Sequence, residues 1–145
     1  MRRFKKVLEC NGDKMITIDT NVIVRFLTHD DELQYQKAYQ VFATSERIFI
    51  PKTVVLETEW VLRFSYKFSS ERIAVALTNL LGLENIVTEN KELIIMALQW
   101  HEKGMDFADA LHLSFSLHTQ AFLSFDKKMI KKSAELSVDI KVIEP

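Results

Sequence analysis

Short apolar runs rich in β-branched residues alternate along this chain with longer stretches of helical periodicity. Ile16 to Ile18 reads as the first buried strand, and Thr20 and Asn21 start a short helix over Val22 to Leu27. A second helix opens at His29-Asp30-Asp31 and runs to Ala43, and Arg47 to Ile50 is a strand closed by Pro51. The spacing then predicts a long helix from Thr53 to Phe68 and another, capped by Ser69-Ser70, to Leu81. Ile86-Val87 is a strand, Thr88 caps a helix ending near Gly104, and Asp106 starts one that continues to His118. Ala121 to Phe125 is a strand, Lys127 to Ser137 a helix, and Ile140 to Ile143 the last strand. Such alternation implies a parallel sheet covered on both faces.

Two of these strands end in the same way. Ile16-Thr17-Ile18 stops on Asp19 and Leu123-Ser124-Phe125 stops on Asp126, each followed by polar helix-starting residues. The carboxyl ends of parallel strands are where open α/β sheets bind ligands. If the two strands are neighbours, both acids lie at one sheet edge. Either acid alone is equally well explained as a helix N-cap; the repetition favours a site.

The long helix sets a sharper expectation. At about 100° per residue, Glu59, Arg63 and Lys67 fall together as a wet face, with Glu59 and Arg63 paired. Glu57 falls on the other side among Trp60, Val61, Phe64 and Phe68, which read as core. A carboxylate there loses hydration and needs a cation. Asp106 and Asp109, three apart at a helix start, form a box-like pair whose spacing leaves capping and chemistry equally open. Ala108, Ala110, Leu111, Leu113, Phe115 and Leu117 face inward, leaving Asp109 on a strip with His112 and Ser116.

Charge and composition narrow the class. The 145 residues suit one domain, and 48% hydrophobic with 27% charged residues argues against disorder. A net charge of -1 announces no nucleic-acid partner, yet a basic rim beside an acidic pocket averages to the same value. The single Cys10 forms no internal disulfide and no zinc cluster, which fits a reducing cytoplasm. No apolar run approaches the ~20 residues of a membrane span. Residues 1–14, with Arg2, Arg3, Lys5, Lys6 and Lys14, read as a basic leader that is disordered or not native, or else as an arm touching RNA. Residues 15–145 are the folded domain.

Asp19, Glu57, Asp109 and Asp126 would thus be four acids on separate elements. Two unit charges about 4 Å apart repel by roughly 4 kcal/mol at an effective dielectric of 20. Such a cluster needs cations or shifted protonation, and oxygen ligands without Cys favour Mg²⁺ or Mn²⁺ over zinc.

With these residues placed, the chain resembles the PIN-domain ribonucleases, in particular the VapC-type toxins of toxin–antitoxin pairs. The matching pieces are Ile16-Thr17-Ile18-Asp19-Thr20-Asn21-Val22, Val54-Val55-Leu56-Glu57 with Trp60-Val61-Leu62, Asp106-Phe107-Ala108-Asp109-Ala110-Leu111, and Leu123-Ser124-Phe125-Asp126. The resemblance implies a three-layer α/β/α fold with a central, mainly parallel sheet and a metal-dependent endoribonuclease activity. It implies one or two Mg²⁺ (or Mn²⁺) ions held by Asp19, Glu57, Asp109 and Asp126, with Asp106 as an additional acid of lower rank. Asn21 matches a polar position that orients the site or substrate. Ser124 stands where the family often has threonine, and His112 departs from the usual apolar residue. The resemblance also implies a VapB-like antitoxin, a homodimer, and tRNA or ribosomal RNA as target.

Phosphates dominate RNA affinity, and Arg25, Lys52, Lys127, Lys128 and Lys131 stand near the expected site edge. The stripe Trp60, Phe64 and Phe68 reads as core; where exposed, it would suit a dimer contact or an antitoxin helix. A haloacid-dehalogenase-type phosphatase also begins with a strand ending on Asp, but needs a second Asp where Asn21 stands. A non-catalytic PIN-like module, scaffolding RNA or protein, is the other alternative; it would usually have lost some of these acids.

Overall fold

The computed structural model describes residues 14–145. The basic leader therefore lies outside the described residues, except for Lys14, whose ammonium pairs with Glu46 at 3.0 Å.

Strands β1 (Met15–Thr17), β2 (Arg47–Phe49) and β3 (Ile86–Val87) form one parallel sheet with β2 in the middle. Ile16 stands opposite Ile48, and Ile48 opposite Ile86. Strands β4 (Ala121–Leu123) and β5 (Lys141–Ile143) form a second parallel pair, with Leu123 opposite Ile143. Every pairing is parallel, as the alternation of elements requires. Among the described residues, however, no ladder joins β1 to β4, so the two strands that end on acids are not hydrogen-bonded neighbours.

The helices are α1 (Thr20–Thr28), α2 (Glu32–Thr44), α3 (Lys52–Phe64), α4 (Ser70–Leu81), α5 (Lys91–Glu102), α6 (Phe107–Ser114) and α7 (Lys127–Glu135). Helix α1 packs on α2 and α3; α5 packs on α4 and α6, and α3 touches both groups. The result is a three-layer α/β/α fold. Its core runs through Ile23, Ile48, Ile50, Leu62, Ile73, Leu98, Phe107 and Leu113. Among the described residues no helix is long and apolar enough to cross a membrane.

Most helix starts follow from the sequence. Asp31 accepts the N–H of Gln34 at 2.9 Å, and Ser69 that of Arg72 at 3.2 Å. The α5 cap is Asn90 rather than Thr88, whose buried hydroxyl makes no hydrogen bond. Two helices stop early. Helix α3 ends at Phe64 because Lys67 turns left-handed (φ 58°) and the N–H of Phe68 closes on the carbonyl of Leu62 at 3.1 Å. No glycine marks that turn. Helix α6 ends at Ser114, where the hydroxyls of Ser114, Ser116 and Thr119 bond nearby carbonyls and compete with helical pairing.

Candidate active site

The acids are placed by helix starts. Asp19 Oδ1 accepts the N–H of Thr20 at 2.8 Å at the head of α1. Asp106 Oδ1 accepts that of Asp109 at 3.1 Å at the head of α6, and Asp126 Oδ1 that of Met129 at 3.1 Å at the head of α7. Capping and site chemistry are therefore not alternatives here: one oxygen fixes the helix and the other is left for a ligand. Ser124 tightens the last of these turns by accepting the N–H of Asp126 at 3.0 Å.

These acids are distributed over two cavities. The larger, about 790 Å³, is lined by Asp106, Asp109 and Asp126 together with Arg63, His101, Lys128, Lys131 and Lys132. The second, about 430 Å³, is lined by Asp19 and Glu57 with Thr20, Asn21, Arg25 and Tyr66. Helix α3 contributes to both, Glu57 and Val61 to one and Arg63 to the other. The structure thus brings Asp106, Asp109 and Asp126 together, and Asp19 with Glu57 and Asn21, but does not merge the two groups. Among the described residues, no three acidic, His or Cys side chains stand close enough to enclose one ion.

Electrostatics single out Asp109. Its carboxyl is pushed above the ordinary value, first by burial and then by the negative charges of Asp106 and Asp126, against a smaller opposing pull from His112. A carboxyl raised by two neighbouring carboxylates marks a place where a cation would be welcomed. An all-oxygen donor set also fits a hard divalent ion.

Helix α3 corrects the sequence reading. Glu59 is not on a wet face: it is 1% exposed and lies with Val55, Thr58 and Leu62 toward the core. Glu57 does share a face with Trp60 and Phe64, but that face is the outer one; Glu57 is exposed, and the two aromatics are 52% and 48% exposed. The buried Glu59 charge is met by Arg63, whose Nε donates to Oε1 at 2.7 Å; His101 Nε2 stands 3.4 Å from the same oxygen without a hydrogen bond. His101 Nδ1 lies 2.8 Å from the carbonyl of Met105. A carbonyl only accepts, so Nδ1 donates there, and Nε2 makes no hydrogen bond among the described residues. Sequence reasoning missed His101 and the inward Glu59. The only signal was the Glu59–Arg63 spacing, which was read as a surface pair.

The expected RNA-facing cations divide as well. The Arg25 guanidinium is committed: Nη1 contacts both carboxylate oxygens of Asp30 at 2.9 Å and the Tyr66 hydroxyl at 3.1 Å. Asp30 is held below the usual carboxylate range by the Tyr66 hydroxyl first, then by Thr28 and Arg25. Lys52 sits 4.1 Å over the Phe115 ring. Lys128 and Lys131 do border the large acidic cavity, and Lys127 and Lys131 border a separate one beside β5.

A family model described as PIN domain matches residues 16–135. The chain belongs to the PIN-domain family. PIN domains are generally metal-dependent nucleases, and the match spans every element from β1 to α7. No curated protein matches the chain.

Proposed function

We propose that this PIN domain is a Mg²⁺-dependent endoribonuclease, the toxin of a VapBC-type pair, hydrolysing phosphodiester bonds of tRNA or ribosomal RNA in the cytoplasm. The observation that carries the reading is the large cavity. Three carboxylates from the heads of α6 and α7 converge there, one of them with a raised proton affinity, beneath a wall of Lys128, Lys131 and Lys132. Asp109 and Asp126 would hold the ion, with Asp106 in support and Asp19 and Glu57 contributing from the adjoining cavity. When bound, one or two Mg²⁺ or Mn²⁺ ions supply an activated water and neutralise charge on the departing oxygen. The chain's own part is positioning. Ser124 fixes the turn that carries Asp126, and Asn21 lines the same cavity as Asp19. The resemblance to VapC-type toxins also supports a VapB-like antitoxin and a homodimer, and the outward Trp60–Phe64 face supports a protein contact.

One observation favours the second reading, a non-catalytic scaffold for RNA or protein: the five acids do not close into one ligand cage. Incubating total RNA with the purified chain in Mg²⁺, Mn²⁺ or EDTA, beside Asp19→Asn, separates the two. Discrete fragments that require both the metal and Asp19 support the nuclease. Stoichiometric RNA binding by the folded wild-type chain without turnover refutes it in favour of the scaffold.

A further inference from the structure

Burying a carboxylate as completely as Glu59 costs several kcal/mol unless other groups repay it, and this one neither caps a helix nor lines the acidic cavity. Its visible effect is on Arg63. The Nε of that side chain is spent on Glu59. The guanidinium rests on the Phe64 ring, 4.7 Å from its centroid, and Phe64 is braced by Trp60 at 4.8 Å. Among the described residues the terminal nitrogens of Arg63 make no hydrogen bond, although the side chain borders the cavity of Asp106, Asp109 and Asp126. Asp106 lies close enough to add to the stability of the charge, yet forms no ion pair with it.

A planar fork with its inner edge tied and its outer edge unspent matches a phosphate in shape and charge. The other cations on the cavity wall, Lys128, Lys131 and Lys132, are point charges on flexible stems, and Lys132 is shared with Glu135 at 3.4 Å. Arg63 is the one held in advance, so little side-chain entropy is lost when it engages.

We infer that Arg63 is a phosphate anchor of the cavity, its free guanidinium edge presented to the RNA backbone by the buried Glu59. This rests on the nuclease reading above. It adds a positioning residue from the last turn of α3, on the side of that helix away from Glu57.

The test is binding of a fluorescently labelled oligouridylate in Mg²⁺, followed as a function of KCl. The parent is Asp126→Asn, which keeps a capping side chain on α7 while blocking cleavage. Adding Glu59→Gln with Arg63→Gln leaves net charge unchanged and leaves no lone buried carboxylate, so a melt near that of the parent is expected. The expected result is an affinity loss of roughly tenfold. The slope of log affinity against log salt should become shallower by about 0.7, the share of one single-strand phosphate contact. Arg63→Lys should restore the slope but not the full affinity. A folded double variant with the parent's slope and affinity overturns the inference while leaving metal-dependent cleavage by the wild-type chain intact. A wild-type chain that neither binds nor cleaves RNA overturns both readings.

Discussion

Replacing Arg63 with methionine tests the energetics of the buried charge directly. Glu59 is 1% exposed and its closest cation is the Arg63 guanidinium at 2.7 Å. Removing one partner of a buried ion pair costs about 3–5 kcal/mol, because the remaining charge is stranded. Solvent access reduces that here: the Arg63 side chain is 38% exposed, so water reaches the vacated edge. The expected loss is therefore about 2–3 kcal/mol, a fall of roughly 5–10 °C in Tm for a domain of this size. Urea denaturation read by tryptophan fluorescence and circular dichroism measures it. The decisive comparison is the same substitution in a Glu59→Met background, where no charge is left to strand. There Arg63→Met should cost less than about 1 kcal/mol, since hydrophobic replacement of a whole buried pair is often neutral. Equal losses in both backgrounds would refute the charge argument and assign the effect to the packing of the arginine stem on Phe64.

Two further outcomes follow from the acidic cavity. Asp109 has a folded-state proton affinity above its unfolded one, so its contribution to stability is intact in acid and is lost as pH rises from the ordinary carboxylate value through the raised one. Asp109→Asn should accordingly be more stable than wild type at neutral pH by urea titration, with the gap closing in acid and shrinking when Mn²⁺ is added to wild type; a pH-independent gap would disprove the assignment. Asp126→Ala should lose the α7 cap and about 1 kcal/mol in the same titration, whereas Asp126→Asn keeps stability but not cleavage, and equal stability of the two would show that the cap is dispensable.

The order and character of the elements were determined by the sequence alone. Short apolar runs ending on Asp19 and Asp126, and cap residues before helical periods, are local signals, and they produced strands and helix starts close to those observed. The acids at the helix heads were legible for the same reason: each serves the backbone a few residues away. What local pattern does not contain is direction. The α3 wheel correctly grouped Glu57 with Trp60 and Phe64, and Glu59 with Arg63, but which group turns inward depends on what packs against the helix. The aromatics suggested the wrong side. Glu59 turns in toward His101, which α5 supplies 3.4 Å away, and no spacing within α3 reports that. The arrangement of the acids is likewise tertiary. Separate ladders for β1 and β4 place Asp19 and Asp126 beside different cavities, because strand neighbours are chosen by long-range pairing, not by the residues that end each strand.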